Sequence, residues 1–584
     1  MVQIPPLLRR NSLRVLSLLA VVLLGVGVLA GCSRGPVRTG NVFVVAIESE
    51  ADVLDPQVAG GWVSWRINRQ MFEPLVDEDL SIPSSEARVP PLRPGLAESW
   101  DVSKDGLDYT FHIRRNVRFH DGTPLDAQAV EYNIRRMWDK GSPMYSARAA
   151  GQTNFVWKFV DSVRTVDDHT VKVHLKQPFS EFLRMLSQGG NGSTAIMSPT
   201  ALQKYGEDIG DHPVGTGPFM FKQRIRGERI DLVRNPDYWG PKPQIDGVVF
   251  RPLPDASART AALRSGTVDM IAVPNPDSID NLVSEGYQLS EGIPPHSWYL
   301  SFNMRNRFTS IPQVRQAINL AVDREGMARD LLRGSVTPAY GVQALSAGGY
   351  VERRDAYERN LDEARRLLAS VGLQDGFDTT LITSTDGSGQ IMPAQMAEFL
   401  QQNLASIGVR VNIQTQEWIS YLGVWARGMA DDVGMAQMSW GMTSPYWLYI
   451  ATSSELQAPN GPNVGYYSNP KLDAAMNKAI TALDPADADR WWRTANNIVT
   501  DDGALAPIVN DKAPYVLAPY VKGFVSASEE WYDLTTVRLE HPRVKDSAIA
   551  GNPMKSMLFI PTSAPLRNLW VLYDRDHAIS RRKV

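Results

Sequence analysis

The chain has 584 residues, a formal net charge of −4 at pH 7 and no basic block, which argues against a nucleic-acid-binding function. A hydrophobic fraction of 43% at this length is enough for two or three folded cores. The single cysteine, Cys32, excludes an internal disulfide and leaves too few thiolates for a tetrahedral metal site.

The beginning of the chain is typical of a bacterial lipoprotein signal peptide. Residues 1–14 carry three arginines and no acid, and residues 15–30 form an apolar run shorter than the ~20 residues of a comfortable membrane span. The run ends in Leu-Ala-Gly-Cys, a pattern that resembles the lipobox. The resemblance implies cleavage after residue 31 and acylation of Cys32. The alternative is a signal anchor that keeps its helix.

Cleavage there predicts a tethered protein outside the cytoplasm. Removing residues 1–31 with their three arginines changes the net charge from −4 to −7. Residues 32–41 are small and polar, as a tether between lipid and fold should be. Acylation at two positions gives stable anchoring, whereas a single chain holds only marginally. We therefore expect the mature protein on the extracytoplasmic face of the cell membrane.

Strand patterns dominate the first part of the chain. Residues 42–47 form a continuous apolar run, typical of a strand covered on both faces. Apolar and polar residues alternate over 109–114 and again over 171–175, which predicts half-exposed strands. Asp167-Asp168 precedes the second of these and indicates a hairpin turn.

Helix patterns are clear in the middle of the chain. Residues 310–313 match a capping box, so we expect a helix to begin there. Apolar residues over 396–407 share one helical face, and Gly408 can end that helix. Alternation over 409–413 then predicts a strand. This helix-to-strand unit indicates a second α/β domain.

The sequence lacks the common motifs of catalytic sites. The sequence contains no phosphate-binding Gly-Lys-Ser/Thr loop, no zinc-protease HExxH and no nucleophile-elbow GxSxG. Its eight histidines are scattered. We predict no enzymatic activity, no cofactor and no metal ligands, although an envelope hydrolase with a dispersed triad stays a third alternative.

Tryptophan is the residue type that indicates binding. Several of the 15 tryptophans lie in stretches with Gly, Ser or Pro, such as "AGGWVSW" and "MSWGMTSPYW", which favours loop positions. A tryptophan in a loop can offer a flat platform to a ligand. Packing in a core or between domains is the alternative for each of them.

Several stretches together resemble one family. "LRPGLAESWDVSKDGLDYTFHI", "PVGTGPFMFKQ" and "LSFNMRNRFTSIPQVRQAINLAVDREG" are similar to the extracytoplasmic solute-binding proteins of ABC importers, family 5, the peptide- and nickel-binding group. The resemblance covers roughly residues 42–540. It implies a two-lobed α/β fold of the type II periplasmic-binding-protein kind, with an extra inserted subdomain, that closes around a ligand.

The resemblance also implies domain boundaries. We expect a first lobe over 42–295 with an inserted subdomain at about 85–208, and a second lobe over 297–515. Residues 516–545 would return to the first lobe, and the role of residues 546–584 is not assigned.

The ligand class is less defined than the family. Dipeptide-binding members hold the ligand's amino group with an Asp shortly after Gly-Trp, where this chain has Thr443. A threonine cannot replace a buried ion pair, so free dipeptides are disfavoured. A longer peptide bound through its backbone and a neutral oligosaccharide stay as alternatives. The candidate ligand contacts, by family position and aromatic character, are Trp62, Trp298, Asn303, Trp418, Trp440, Thr443 and Trp447.

The predicted partners follow from the same resemblance. A monomer would capture a small solute, most simply a peptide, and deliver it to an ABC permease and its ATPase. The alternative keeps the fold without transport, as a regulatory envelope lipoprotein.

Overall fold

A computed structural model describes residues 41–83, 89–187, 194–527 and 532–540. The predicted signal peptide, the lipidation residue Cys32, the tether up to residue 40 and the tail from residue 541 lie outside the described residues. In the described ranges, none of the helices combines the length and apolar character that a bilayer crossing needs.

The described chain is mixed α/β, as predicted. Its strands are β1 (Val42–Ile47), β2 (Val76–Glu78), β3 (Leu92–Pro94), β4 (Ala97–Val102), β5 (Asp108–Ile113), β6 (Val160–Asp167), β7 (Thr170–Leu175), β8 (Phe219–Ile225), β9 (Arg229–Arg234), β10 (Gly247–Pro252), β11 (Met270–Ala272), β12 (Gln288–Ser290), β13 (Ser297–Phe302), β14 (Val336–Pro338), β15 (Phe377–Ser384), β16 (Val409–Gln416), β17 (Val433–Trp440), β18 (Leu505–Asp511), β19 (Tyr515–Leu517), β20 (Val521–Lys522) and β21 (Arg538–Leu539).

The α-helices are α1 (Trp62–Asn68), α2 (Ala127–Trp138), α3 (Ala147–Trp157), α4 (Phe182–Met185), α5 (Pro199–Tyr205), α6 (Ala256–Arg264), α7 (Pro276–Ser284), α8 (Pro312–Ala321), α9 (Arg324–Gly326), α10 (Arg354–Tyr357), α11 (Leu361–Ser370), α12 (Pro393–Ala405), α13 (Trp418–Arg427), α14 (Tyr446–Thr452), α15 (Pro470–Thr481) and α16 (Pro485–Asp501). A π-helical turn, Met327–Leu331, continues α9, and 3-10 turns cover Gly206–Asp211 and Ser454–Leu456.

The first lobe is built on a seven-stranded sheet in the order β12-β19-β11-β1-β10-β9-β8. The apolar strand β1 lies inside this sheet and pairs in parallel with both β10 and β11. Covering on both faces explains why its sequence is a continuous apolar run. Strand β19, far along the chain, pairs antiparallel with β11 and β12, so the chain returns to this sheet near its end.

The second lobe is built on a six-stranded sheet in the order β14-β18-β13-β17-β15-β16. The central strand β13 is buried along its whole length. The unit α12–β16 was predicted: α12 ends at Ala405, Gly408 has a positive φ of 81°, and β16 then pairs in parallel with β15. The predicted lobe boundaries themselves stay predictions, since the sheets show only which strands belong together.

The inserted subdomain carries a four-stranded antiparallel sheet in the order β4-β5-β7-β6. Buried and less buried residues alternate along β5 and β7, which confirms the two predicted half-exposed strands. The hairpin between β6 and β7 is also present at the predicted Asp-Asp turn. This subdomain packs against the second lobe: the rings of Phe179 and Tyr446 are 4.9 Å apart.

One predicted helix start is wrong. The residue before α8 is Ile311, which makes no side-chain capping hydrogen bond, and the helix begins at Pro312. Proline at the first helical position has the required φ and needs no N–H partner there. The match of residues 310–313 to a capping box is therefore one residue out of register.

Candidate functional site

A cavity of about 400 Å³ lies where the two lobes and the inserted subdomain meet. This volume lies within the usual range for a small-molecule site. The first lobe contributes α1, the inserted subdomain contributes α3, and the second lobe contributes α13 and the end of β17. The lining residues are Gly60, Trp62, Trp65, Gly151, Gln152, Phe155, Ser388, Trp418, Leu422, Trp425, Ala426, Met438, Ser439, Trp440, Ile450, Pro459, Asn460, Gly461 and Pro462. We call it the tryptophan cavity.

Helix α1, in the first lobe, supplies two of the five tryptophans that line the cavity. Trp62 and Trp65 are three residues apart and therefore share a face, with their ring centroids 5.9 Å apart and their planes inclined by 64°. The indole N–H of Trp65 donates to the carbonyl of Ala59 at 2.9 Å, which fixes its orientation. Trp62 also packs against the imidazole of His296, with the two ring centroids 4.8 Å apart.

The beginning of α1 is completed by the second lobe. Gly61 precedes the helix and has no side chain to cap it, and the hydroxyl of Ser388 accepts the backbone N–H of Val63 at 2.8 Å. A serine oxygen on this N–H performs the role of an N-cap. One residue further on, the N–H of Gly389 donates to Glu48 at 3.3 Å. These two contacts join the lobes directly beside the cavity.

Helix α13 presents two further tryptophans from the second lobe. Trp418, Leu422 and Trp425 are spaced by four and three residues, so one face of α13 forms this wall. The carboxylate of Glu417 accepts the N–H groups of Ile419 and Ser420 and caps the helix.

The loop before α12 lies against Trp418. Gly387 has a φ of +145°, and a Cβ there would lie 2.4 Å from the indole. Only glycine allows this approach. Strand β17 adds the fifth tryptophan, Trp440, at its last residue.

The electrostatic character of the tryptophan cavity is neutral. Among the described residues that line it there is no Asp, Glu, Lys, Arg or His; besides the indole N–H groups, its polar side-chain groups are two amides and two hydroxyls. Both hydroxyls already take part in hydrogen bonds, since Ser439 contacts the ring of His296 at 2.9 Å and Ser388 accepts from α1. Aromatic side chains form a large part of the wall that a ligand would contact.

Three of the seven predicted ligand contacts line this cavity, namely Trp62, Trp418 and Trp440. The loop positions predicted for Trp62 and Trp440 from their sequence context are wrong, because Trp62 is the first residue of a helix and Trp440 ends a strand. Trp418, for which no loop context was noted, is also the first residue of a helix. The roles of all seven as ligand contacts stay predictions.

Trp298 and Asn303 lie elsewhere. Trp298 is fully buried in the middle of the second lobe, on strand β13 rather than in a loop, and packs with the core of that lobe. Asn303 is also fully buried, and its amide donates to the carbonyls of Ala430 and Val433. Trp298 thus occupies the position of a core residue, and Asn303 that of a turn-stabilising residue.

Thr443 and Trp447 lie behind the tryptophan cavity. Trp447 is buried in helix α14 and packs edge-on against Tyr299 with ring centroids 5.4 Å apart. The hydroxyl of Thr443 donates to Glu78 at 3.1 Å, and the same carboxylate oxygen accepts from Arg184 at 2.7 Å.

Thr443 lines a second cavity of about 380 Å³, together with Lys104, Glu181, Arg184 and Asp489. We call it the charged cavity. Thr443, which is predicted to stand where dipeptide-binding members carry an acid, therefore lines a different cavity from Trp62, Trp418 and Trp440. Burial raises the pKa of both Glu78 and Glu181, and Arg184 opposes this shift in each.

Sequence reasoning missed Trp425 and did not select Trp65. The signal was available in both cases, because each lies on the same helical face as a selected tryptophan, at a spacing of seven and three residues respectively. Phe155, from the inserted subdomain, carried no comparable signal. Its place in the wall depends on how the subdomain packs, and the hydroxyl of Tyr446 donates to its carbonyl at 2.9 Å.

Comparison with known families identifies the class of protein. Residues 91–458, more than half of the chain, match the model of the bacterial extracellular solute-binding proteins, family 5. The chain belongs to this family. It is a solute-binding protein with the family's two-lobed fold, and the predicted family is confirmed.

Individual relatives agree with that assignment. The chain is 29% identical over 519 residues to the glutathione-binding protein GsiB of Salmonella typhimurium, covering 86% of this chain and 95% of the relative. The peptide STSA complex of the ABC transporter-associated protein DppA from Helicobacter pylori is 27% identical with a TM-score of 0.77, covering 86% and 99%. A dipeptide-binding protein from Pseudoalteromonas sp. SM9913, at 22% identity and a TM-score of 0.76, covers 85% and 99% and shows the shared fold alone.

Proposed function

We propose that the chain is a non-catalytic receptor that encloses a small peptide-type solute in the tryptophan cavity and delivers it to an ABC importer. The observation that carries the proposal is the composition of the cavity wall, which takes residues from both lobes and from the inserted subdomain. A solute there contacts both lobes at once, and it stabilises the closed form by the contacts that only this form provides. The names of the relatives support peptide-like chemistry.

We propose further that the mature receptor is a monomer anchored by lipid at Cys32. The support is the sequence pattern at residues 29–32 and the small polar tether that follows. Mass spectrometry of the mature protein should give an N-terminal peptide that begins with acylated Cys32. A Cys32→Ala variant should lose both the acyl mass and the membrane association. An unmodified cysteine in the mature protein would contradict the anchor and leave the receptor function open.

The receptor function has a direct test in tryptophan fluorescence and calorimetry. We expect peptides of two to five residues, tested with and without aromatic side chains, to include a ligand that changes the fluorescence and compacts the protein in X-ray scattering. Trp418→Ala should weaken that binding at least about tenfold, since the side chain forms part of the wall. Trp491→Ala is the matched control, because Trp491 lies outside the cavity under the side chain of Lys478.

Binding that is unaffected by Trp418→Ala would place the solute elsewhere. The absence of any solute that compacts the protein would contradict the receptor function itself and favour a regulatory envelope lipoprotein on the same fold.

A further inference from the structure

The tryptophan cavity combines two features that together restrict the solute. Five indoles surround about 400 Å³, and the described residues of the wall include no ionisable side chain. The two features are independent, because a wall rich in tryptophan can still carry one carboxylate or one guanidinium for a ligand's charge.

The missing charge has an energetic consequence. A free peptide carries an ammonium and a carboxylate, and enclosing either group without an opposite charge or several hydrogen bonds is strongly unfavourable. Besides the five indoles, each with one N–H donor, the wall has four polar side chains, and two of these four are already engaged with His296 and Val63. What remains is enough to orient hydroxyl or amide groups and too little to replace the hydration of an ion.

The acids and bases near the cavity are occupied by the protein itself. Glu48 holds Arg66 at 2.8 Å, and both side chains are almost completely buried. Asp52 accepts the backbone N–H of Gly60 at 2.9 Å and a hydrogen bond from Ser64. Glu78, which accepts a hydrogen bond from Thr443, pairs with Arg184 beside the charged cavity.

The indoles can select a ligand by stacking instead of by charge. Trp62 and Trp65 are inclined by 64° in α1, and α13 supplies Trp418 and Trp425 from the other lobe. Flat apolar faces of a ligand can stack on such rings and exclude water from them. Both neutral sugar rings and aromatic side chains present a face of this kind.

We propose that the tryptophan cavity binds an uncharged part of its solute through flat apolar faces, and that recognition does not use charged peptide termini. The proposal rests on the receptor function and specifies its ligand chemistry. Two sources supply this chemistry: a neutral oligosaccharide, or the aromatic side chain of a peptide whose ends are blocked or lie outside the cavity.

The test compares matched ligands by calorimetry on the mature chain. One series is an aromatic tripeptide with free ends and the same tripeptide with N-acetyl and C-amide ends. The second is a neutral trisaccharide and its carboxylated analogue. We expect at least one neutral probe to bind, blocking of the peptide ends to change the Kd less than about threefold, and addition of a carboxylate to weaken binding at least about tenfold. The arm that binds identifies the source.

Stacking is tested separately by side-chain shape. Trp418→Phe keeps a flat face, and we expect it to retain affinity for the neutral ligand within about threefold, whereas Trp418→Leu should lose at least about tenfold. Urea unfolding of both variants checks that they fold equally well. Equal losses in the two variants would contradict stacking.

Other results would overturn the proposal. A free-ended peptide that binds more than about threefold more tightly than its blocked form would show that the termini are recognised, and the receptor function would stand without this inference. Aromatic walls also attract cations, so tighter binding of choline than of its neutral isostere 3,3-dimethylbutanol would overturn it as well. Failure of every solute to bind would instead contradict the receptor function.

Discussion

The two cavities differ in whether ionisable side chains line them. The tryptophan cavity has no ionisable side chain among its described lining residues, whereas the charged cavity has Lys104, Glu181, Arg184 and Asp489. They are of similar size, about 400 and 380 Å³. Trp440, which lines the tryptophan cavity, and Thr443, which lines the charged cavity, are only three residues apart in the chain. Adjacent stretches of sequence thus face chemically opposite environments.

This difference predicts which substitutions affect the stability of the fold and which affect the binding of a solute. In the charged region, a buried acid depends on one arginine and a hydroxyl, so the arrangement stabilises the fold only while it is complete. In the tryptophan cavity, aromatic surface is left for a solute to cover. We therefore expect substitutions in the first region to act on unfolding and those in the second to act on binding.

The largest expected effect is that of Arg184→Met. Glu78 would stay fully buried without its cation, and breaking a buried pair in this way costs about 3–5 kcal/mol in free energy of unfolding. Urea denaturation measures the loss. The double variant Glu78→Gln/Arg184→Met should recover part of it, because the remaining amide is neutral.

The same Arg184→Met protein should bind a solute in the tryptophan cavity within about twofold of the parent Kd, at temperatures where it is folded. A larger change would show that the two cavities are coupled.

A pH-dependent effect is expected at Glu73, in the first lobe away from both cavities. Its carboxylate accepts hydrogen bonds from Thr216, Tyr238 and Trp239, yet burial still raises its pKa from 4.5 to about 7. A raised pKa in the folded state means that stability present below pH 4.5 is lost as the pH rises to about 7.

Glu73→Gln exposes this contribution. The amide oxygen can accept from Thr216 and Trp239 while its NH₂ donates to the hydroxyl of Tyr238, so most contacts survive. We expect the parent's free energy of unfolding to fall relative to the variant by up to about 3 kcal/mol between pH 4.5 and 7 and to stay level above it. A difference that does not change with pH would contradict the raised pKa.

Trp298 and Trp418 allow a comparison of core and cavity within one residue type. Trp298→Leu removes a ring from the fully buried core of the second lobe, and we expect a loss of about 2 kcal/mol in unfolding free energy with the Kd unchanged. Trp418→Leu should weaken solute binding and leave the free energy of unfolding unchanged. Equal behaviour of the two variants in calorimetry and urea unfolding would show that Trp298 also contacts the solute.

The smallest expected effect is that of Ser388→Ala, which removes the cap that the second lobe gives to α1. An N-cap contributes about 1 kcal/mol, and here the contribution belongs to the closed form. Solute affinity should weaken by up to about fivefold, with little change in unfolding. Ser370→Ala is the control, since that serine bonds only within its own helix. Stopped-flow fluorescence should assign the loss to faster dissociation.

Local patterns in the sequence determined the secondary structure well. Strands β5 and β7 followed from alternation, and the α12–β16 unit followed from a helical face ended by Gly408, because each signal is contained in a few consecutive residues. The capping-box match before α8 shows the limit of such signals, since a proline one residue later fixed the helix start instead. The family followed from several motifs read together.

The site depended on the tertiary structure. Trp62 and Trp440 are almost four hundred residues apart, and no local period reports that α1, α3, α13 and β17 enclose one space. Sequence spacing placed tryptophans on helical faces, but the packing of the lobes decided which faces meet and which, like that of Trp298, stay inside a core. Periodicity arises from backbone geometry within one element, whereas a cavity arises from contacts between distant elements.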